Sequence, residues 1–446
     1  MSSAGIQSGR LSTEEISENF NDLHAPLSRP DALVEADRCY FCYDAPCTTA
    51  CPTGIDIPQF IQKIRSDNIP GSAYTILSEN IMGGMCARVC PTEILCEEAC
   101  VRNLHTDKPV SIGLLQRYAT DPILQNNISL FERAPSSGKK VAIVGGGPSG
   151  LSCAHRLATL GHDVVVFNRD RKLGGLNEFG IAAYKTVNNF AQQEVQWILG
   201  IGGIDVRGGK CLGIDMTLDE LREEFDAVFL GFGLGGVNKL GIANEDVEGV
   251  LNAVDYIAEL RQAEDKSKLP VGRRVVVIGG GMTAIDVAVQ SKQLGSEHVD
   301  IVYRRGPEQM GASCYEQELA QTNGVTIRHW ATPRKLLVSD SVAGVEFEKT
   351  ELGADGKLNV TGETWSLDAD IVFKAVGQSI ASATLGDVAS TIGQDRGKLV
   401  VSDDRKTSLS DVWAGGDCIS GHDDLTVTAV QDGKVAAISI DRFLRS

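Results

Sequence analysis

The sequence of 446 residues lacks several features that would point to other classes of protein. It has no basic excess: Lys and Arg number 42 against 59 Asp and Glu, for a formal net charge of −17. That balance argues against nucleic acid or an anionic membrane surface as a partner. It has no apolar run of membrane-spanning length, because glycines and charges interrupt every candidate. Its opening stretch, MSSAGIQSGRLSTEEIS, has neither the basic nor the apolar region of a secretory signal, so a cytoplasmic protein is expected. In that compartment a disulfide framework is disfavoured. With 42% hydrophobic residues, the chain is long enough for about three buried cores.

Cysteine is present but unevenly spread. Of 12 cysteines, most fall between Cys39 and Cys100, in two runs. The first is Cys39-x2-Cys42-x4-Cys47-x3-Cys51-Pro52, and the second is Cys86-x3-Cys90-Pro91-x4-Cys96-x3-Cys100. Zinc sites use paired knuckles, whereas iron–sulfur runs use close cysteines and place a Cys-Pro pair where the chain reaches a second cluster. Two [4Fe–4S] clusters are therefore expected, with structural zinc as the alternative. The intervening IPQFIQKIRSDN reads as an amphipathic helix, and a further helix is expected around IGLLQRYATDPIL. Before the cysteines, about thirty polar residues form either one short helix capped by Ser12 or a frayed tail.

Val141 to Gly150 reads VAIVGGGPSG, a buried-strand pattern followed by Gly145, Gly147 and Gly150 in GxGxxG spacing. A helix through LSCAHRLATLG and a second strand, DVVVFN, complete a dinucleotide unit, with the pyrophosphate expected at the helix N-terminus. Asn168 ends that second strand where such folds usually carry a carboxylate for the ribose. VVVIGGGMTAID opens a second unit, with Gly279 and Gly281 in its turn and Ala284 in the third position. Arg304 and Arg305 end its second strand. Guanidinium groups there suit the 2′-phosphate of NADPH, or else form a solvated basic pair. The stretch from Gln321 to Phe373 is strand-rich. The last segment, VWAGGDC to DRFL, predicts a strand, a Gly-Gly-Asp turn and a helix from Thr426, with Asp417 placed for a flavin ribityl hydroxyl and the helix N-terminus for the flavin edge.

Together these residues resemble the flavoproteins typified by the glutamate synthase small subunit, and more closely the dihydropyrimidine dehydrogenases. The carrying strings are CYFCYDAPCTTACPTGIDIPQFI, MCARVCPTEILCEEAC, SIGLLQRYAT, GGGMTAID with VYRRGPEQM, and VWAGGDC with LTVTAVQDGK. The resemblance implies an α/β fold behind an all-α iron–sulfur domain. The helical domain would cover residues 1–130. A split FAD domain would cover 131–255 and 375–446, with an NAD(P)H domain over 256–374 inserted into it. One cluster would be held by Cys39, Cys42, Cys47 and Cys100. The other would be held by Cys51, Cys90, Cys96 and the unusual ligand Gln116, leaving Cys86 spare although spacing alone makes it a ligand. FAD contacts would fall on Gly145, Gly147, Gly150, Asn168, Leu176, Lys185, Asp417, Thr426 and Val427. Nicotinamide nucleotide contacts would fall on Gly279, Gly281, Thr283, Arg304, Arg305 and Gly377. Gly311 replaces a further basic residue of NADPH-using relatives, so NADH and NADPH both stay open.

The function so implied is electron input to dihydropyrimidine dehydrogenase, with no side-chain acid or base. Electrons from NAD(P)H would pass through FAD and two [4Fe–4S] clusters to an FMN-containing, iron–sulfur large subunit, in a heterotetramer. That partner would interconvert uracil or thymine and the 5,6-dihydro forms. The chief rival is the small subunit of glutamate synthase, and a zinc-stapled scaffold without catalysis is a remoter one. A stand-alone disulfide reductase would need a redox CxxC in the nucleotide region, where Cys211, Cys314 and Cys418 are isolated.

Overall fold

Both glycine turns sit at the ends of parallel strands in a computed structural model that describes residues 10–381, 384, 391–421 and 423–446. The first sheet orders Val412–Ala414, Ala227–Leu230, Lys140–Val144, Asp163–Asn168 and Ile204–Gly208, all parallel. Its central strand is apolar on both faces because helices cover both. The helix Pro148–Thr159 follows the first turn, and the chain leaves it through Gly161 at φ +93°, a left-handed exit that glycine adopts without strain. The helix Thr426–Arg445 packs against the same region, burying Val427, Val430, Ala436, Ala437 and Ile440.

The second sheet orders Val250–Asn252, Ile371–Ala375, Arg274–Gly279, His298–Val302 and Thr326–Arg328, again all parallel. Beside it, Ala331–Val338, Val342–Leu352 and Leu358–Asp368 form an antiparallel sheet. The strand-rich stretch read from the sequence is thus divided between two sheets. Phe347 and Val345 pack on Val276 and Ile278 to join them into one core.

The cysteine segment is helical. Ile57–Arg65 is capped by Asp56, whose side chain accepts from the Gln59 N–H at 3.0 Å. It buries Ile57, Phe60, Ile61 and Ile64 on one face. These pack with Leu115 and Ala119 of the helix Ile112–Gln125, and the partly buried Cys39, Cys47, Cys51, Cys96 and Cys100 lean on the same core.

The chain divides into two compact units. One holds His24–Glu178, Asn188–Gly236 and Ser379–Ser446; the other holds Met1–Leu23, Phe179–Val187 and Val237–Gln378. This division differs from the domain boundaries read from the sequence. The second unit begins at Val237 rather than 256, because Val250–Asn252 pairs with Ile371–Ala375. The helical cysteine segment and the first nucleotide sheet cluster together as one unit. The arm folds as the helix Thr13–Asn19 with Ser12 in a capping box with Glu15. It belongs to the second unit, where Ile16 and Phe20 join the core of Tyr256, Ile257 and Leu294. Among the described residues, no helix is long and apolar enough to cross a membrane.

Candidate cofactor sites

The eight clustered thiols form two adjoining neighbourhoods, linked where Cys47 of one acts on Cys96 of the other. Burial raises the Cys39 thiol above its ordinary value, and Cys100 and Cys42 add to the effect. Burial likewise pushes Cys47 up to about 12, reinforced by Cys39 and Cys100. Cys39, Cys42, Cys47 and Cys100 are therefore electrostatic neighbours. A second pocket is lined by Cys51, Cys86, Cys90, Cys96 and Gln116, with Ile55, Ile57 and Val427 among its apolar walls. There Cys90 is raised well above its ordinary value by a hydrogen bond with Cys86, by burial, and by Cys96 and Cys51. Cys96 is raised by burial and by Glu97, Cys51 and Cys47. Repulsion among thiolates is what a cationic iron cage relieves, and ligation there must release protons. The donor set fits an iron–sulfur cluster. Among the described residues, no three His, Cys, Asp or Glu side chains stand close enough to hold a single metal ion.

Gln116 comes from the buried face of Ile112–Gln125, and its Nε2 donates to the Gly83 carbonyl at 2.6 Å. With the amide nitrogen so engaged, its oxygen is the atom left for the pocket. Cys86 lines the same pocket on the short helix Gly83–Val89. Both candidates for the last ligand position are thus present at one place.

At the first nucleotide turn, a Cβ on Gly150 would lie 1.9 Å from the Gly145 carbonyl oxygen, so only glycine lets helix and turn approach this closely. Gly147 is the N-cap of Pro148–Thr159 and offers no capping side chain, and its own surroundings are open apart from Gly175 at 3.7 Å. Free helix N–H groups facing open space are what a pyrophosphate needs. Asn168 spends its amide on the turn: Oδ1 accepts from Gly146 N–H at 2.8 Å, and Nδ2 donates to the carbonyls of Asp170 and Lys172 at 2.8 and 3.1 Å. Leu176, half-buried Asp417, Thr426 and Val427 lie in the same unit. The Thr426 hydroxyl donates to Asn177 Oδ1 at 2.8 Å, and Thr426 opens a helix with no side-chain cap.

Lys185 belongs to the second unit, whereas the other expected flavin contacts belong to the first. Its ammonium lies 2.7 Å from Asp286 Oδ1 and 2.8 Å from Glu316 Oε1. Burial alone would lower its pKa, but these carboxylates outweigh burial and hold it well above the usual lysine range. Asp286 also accepts from the Ala182 N–H at 3.1 Å, and Gln290 from Ala183 at 2.9 Å, which fastens the 179–187 segment to the helix Met282–Gln293. Neither contact carries a local sequence signal, since the partners lie more than 100 residues apart.

The second turn repeats the first. Gly279 has φ +149°, and a Cβ there would lie 2.2 Å from the Ala375 carbonyl oxygen. Gly281 is the uncapped N-cap of Met282–Gln293 and has nothing within 4 Å of its Cβ position. Half-buried Thr283 sits in the first turn of that helix. Arg304 is exposed and Arg305 half-buried just beyond His298–Val302. Gly377, at φ +90°, follows Ile371–Ala375. The six nucleotide candidates all belong to this unit.

Comparisons with known proteins agree with this layout. Residues 16–128 match the family described as dihydropyrimidine dehydrogenase domain II, 4Fe-4S cluster. Residues 139–433 match the pyridine nucleotide-disulphide oxidoreductases. The chain is 33% identical over 428 residues to the NAD-dependent dihydropyrimidine dehydrogenase subunit PreT of Salmonella typhimurium, covering 96% of this chain and 98% of that one. It is also 33% identical over 453 residues to the NADPH glutamate synthase small chain of Escherichia coli, covering 95% and 94%. Among solved structures, FprA of Mycobacterium tuberculosis in complex with NADPH aligns with a TM-score of 0.59 at 21% identity, over 70% of this chain and 85% of that one. That likeness shows the fold. The chain is an oxidoreductase whose cofactors are FAD, NAD(P)H and a 4Fe–4S centre. It belongs to the pyridine nucleotide-disulphide oxidoreductase family, in the iron–sulfur flavoprotein group that includes dihydropyrimidine dehydrogenase subunits and glutamate synthase small chains.

Proposed function

We propose that the chain is the electron-input subunit of an NAD(P)H-dependent dihydropyrimidine dehydrogenase, serving an FMN-containing partner that acts on uracil or thymine. The observation that carries this reading is the pair of thiol neighbourhoods, one of them lined also by Gln116, in a chain with two intact nucleotide turns. Cys39, Cys42, Cys47 and Cys100 would hold one cluster, and Cys51, Cys90, Cys96 and Gln116 the other. The bound groups supply hydride acceptance by a flavin and single-electron relay by iron–sulfur clusters. The protein's own part is placement. Gly145, Gly147 and Gly150 leave room for one pyrophosphate at the N-terminus of Pro148–Thr159, and Gly279 and Gly281 do the same at Met282–Gln293. Apolar walls at Ile55, Ile57 and Val427 limit water around the second thiol group. No side chain has to give or take a proton.

A second reading is the small subunit of a glutamate synthase, favoured by an identity equal to that of the pyrimidine enzyme's subunit. Anaerobic co-purification with an FMN-type large subunit, followed by assays of NADH and NADPH oxidation, separates the two. Uracil-dependent oxidation is expected, and the two rates identify the nucleotide. Oxidation driven by glutamine plus 2-oxoglutarate with a synthase large subunit, and not by uracil, would overturn the pyrimidine assignment.

A further inference from the structure

Lys434 is a buried cation, 9% exposed, for which neither electron input nor nucleotide binding has so far given a use. It lies on Thr426–Arg445, the helix whose first residues are flavin candidates, yet its ammonium points to the cysteine segment. Nζ donates to the Thr53 carbonyl at 2.8 Å and pairs with Glu79 Oε2 at 2.8 Å. Thr53 is 2% exposed, and its Oγ1 lies 3.3 Å from Cys51 Sγ. Three residues far apart in sequence thus converge on the loop that follows Cys51-Pro52.

Either atom of the Thr53–Cys51 contact can donate when the thiol is free. A cysteine that ligates iron is a thiolate with no proton, so the hydroxyl must then be the donor. A hydrogen bond to a ligating sulfur withdraws electron density from it and favours the reduced cluster, and a nearby buried ammonium acts in the same direction. Lys434 also holds the backbone carbonyl of the residue that carries that hydroxyl, and so anchors the loop that presents it to Cys51. Glu79, 46% exposed at its side chain, anchors the ammonium from the solvent side.

We propose that Thr53 and Lys434 set the reduction potential of the cluster held through Cys51, Thr53 by donating to the ligand sulfur and Lys434 as a positioning residue behind it. The proposal rests on Cys51 being a ligand, and its test must separate the two claims. The experiment is an anaerobic redox titration of the full chain, followed by electron paramagnetic resonance, with iron and sulfide analysis of each preparation. Cys51→Ala serves as the control. It should lose about half the iron if two equivalent clusters are present; unchanged iron content would sink the ligand reading itself.

Given that control, Thr53→Val should keep its iron and shift one of the two cluster signals to lower potential, leaving the other in place. Lys434→Met should shift the same signal the same way. Thr53→Ser and Lys434→Arg, which keep hydroxyl and charge, should restore it. Full iron content with both potentials unmoved in Thr53→Val would overturn the proposal. So would loss of the cluster in Thr53→Val that Thr53→Ser does not rescue, since Thr53 would then be a folding residue. If Lys434→Met fails to fold, Lys434→Gln, which keeps a donor and removes the charge, carries that arm: a shift of the same signal to lower potential supports the role of Lys434, and a potential equal to wild type with full iron overturns it.

Discussion

The two nucleotide turns use backbone in the same way and differ at the ends of their second strands. In each, a glycine lets strand and turn approach closely, and the following helix begins without a side-chain cap, leaving its N–H groups for an anion. After the second strand of the first unit, Asn168 folds back and spends its amide on the loop. After that of the other, Arg304 and Arg305 extend to the surface or close to it. One site has thus turned its discriminating position into a brace, while the other presents positive charge. On the proposed reading, the pyrophosphate cradle is generic to both, and the choice of nucleotide falls to the residue beyond the strand.

The contrast extends to buried charge, and the largest predicted effect lies there. The second unit pairs buried Asp286 and Glu316 with Lys185, whereas in the first, among the described residues, buried Glu194 is held by the backbone N–H groups of Gly84 and Met85 rather than by an ion pair. Lys185→Met would strand Asp286 and Glu316 against each other, at a cost of about 3–5 kcal/mol in unfolding free energy. Chemical denaturation reads this; a change under about 1 kcal/mol would mean that one carboxylate is already neutral.

Next in size is Gly150→Ala, whose methyl would meet the Gly145 carbonyl oxygen at 1.9 Å. A loss of roughly 1–3 kcal/mol, with flavin released, is expected. In the other unit the position matching Gly150 already holds Ala284, and Gly281→Ala, at the second glycine of that turn, meets open space. It should leave the melting temperature nearly unchanged while weakening the nucleotide. Equal destabilisation by both would remove the asymmetry.

Glu194 gives a pH signature. Its Oε1 accepts from Gly84 and Met85 N–H groups at 2.9 and 3.1 Å, while burial raises its pKa from 4.5 to about 8 against these bonds and Arg88. The folded chain therefore holds a proton that the unfolded chain releases between those pH values. Its contribution to stability is fully present below about 4.5 and is lost as pH rises through about 8. Glu194→Gln should flatten that decline in thermal unfolding scans. A slope identical to wild type would place the proton elsewhere.

The smallest effect concerns the arginines. Arg304→Ala with Arg305→Ala should weaken NADPH on the order of tenfold, about 1.4 kcal/mol, and leave NADH nearly untouched. Equal loss for both nucleotides, by titration of the oxidised forms, would make the pair a solvated surface feature.

What could be read in the sequence was whatever is encoded within about twenty residues. The glycine turns, the Ser12 cap, the apolar stripe of Ile57–Arg65 and the two cysteine runs are all of that kind. The grouping of the thiols was not set by spacing, and came from resemblance. Cys86 shows why: by spacing it is a ligand, and in the fold it shares its pocket with Gln116, which sequence chemistry alone would not nominate. Lys185, Glu194, Thr53 and Lys434 owe their surroundings to residues more than 100 positions away. The cap at Ser12 allowed a helix or a frayed tail, and nothing in TEEISENF says that Ile16 and Phe20 are buried, or where.

Ile16 and Phe20 find their core only when Tyr256, Ile257 and Leu294 exist. At a ribosomal pace of about 5–20 residues per second, the first helix waits on the order of tens of seconds, with its apolar side uncovered, before its partners emerge. Its seven residues are too few to hold a helix alone. The helix Thr13–Asn19 is thus among the last elements to find its place, although it is made well before the residues that bury it.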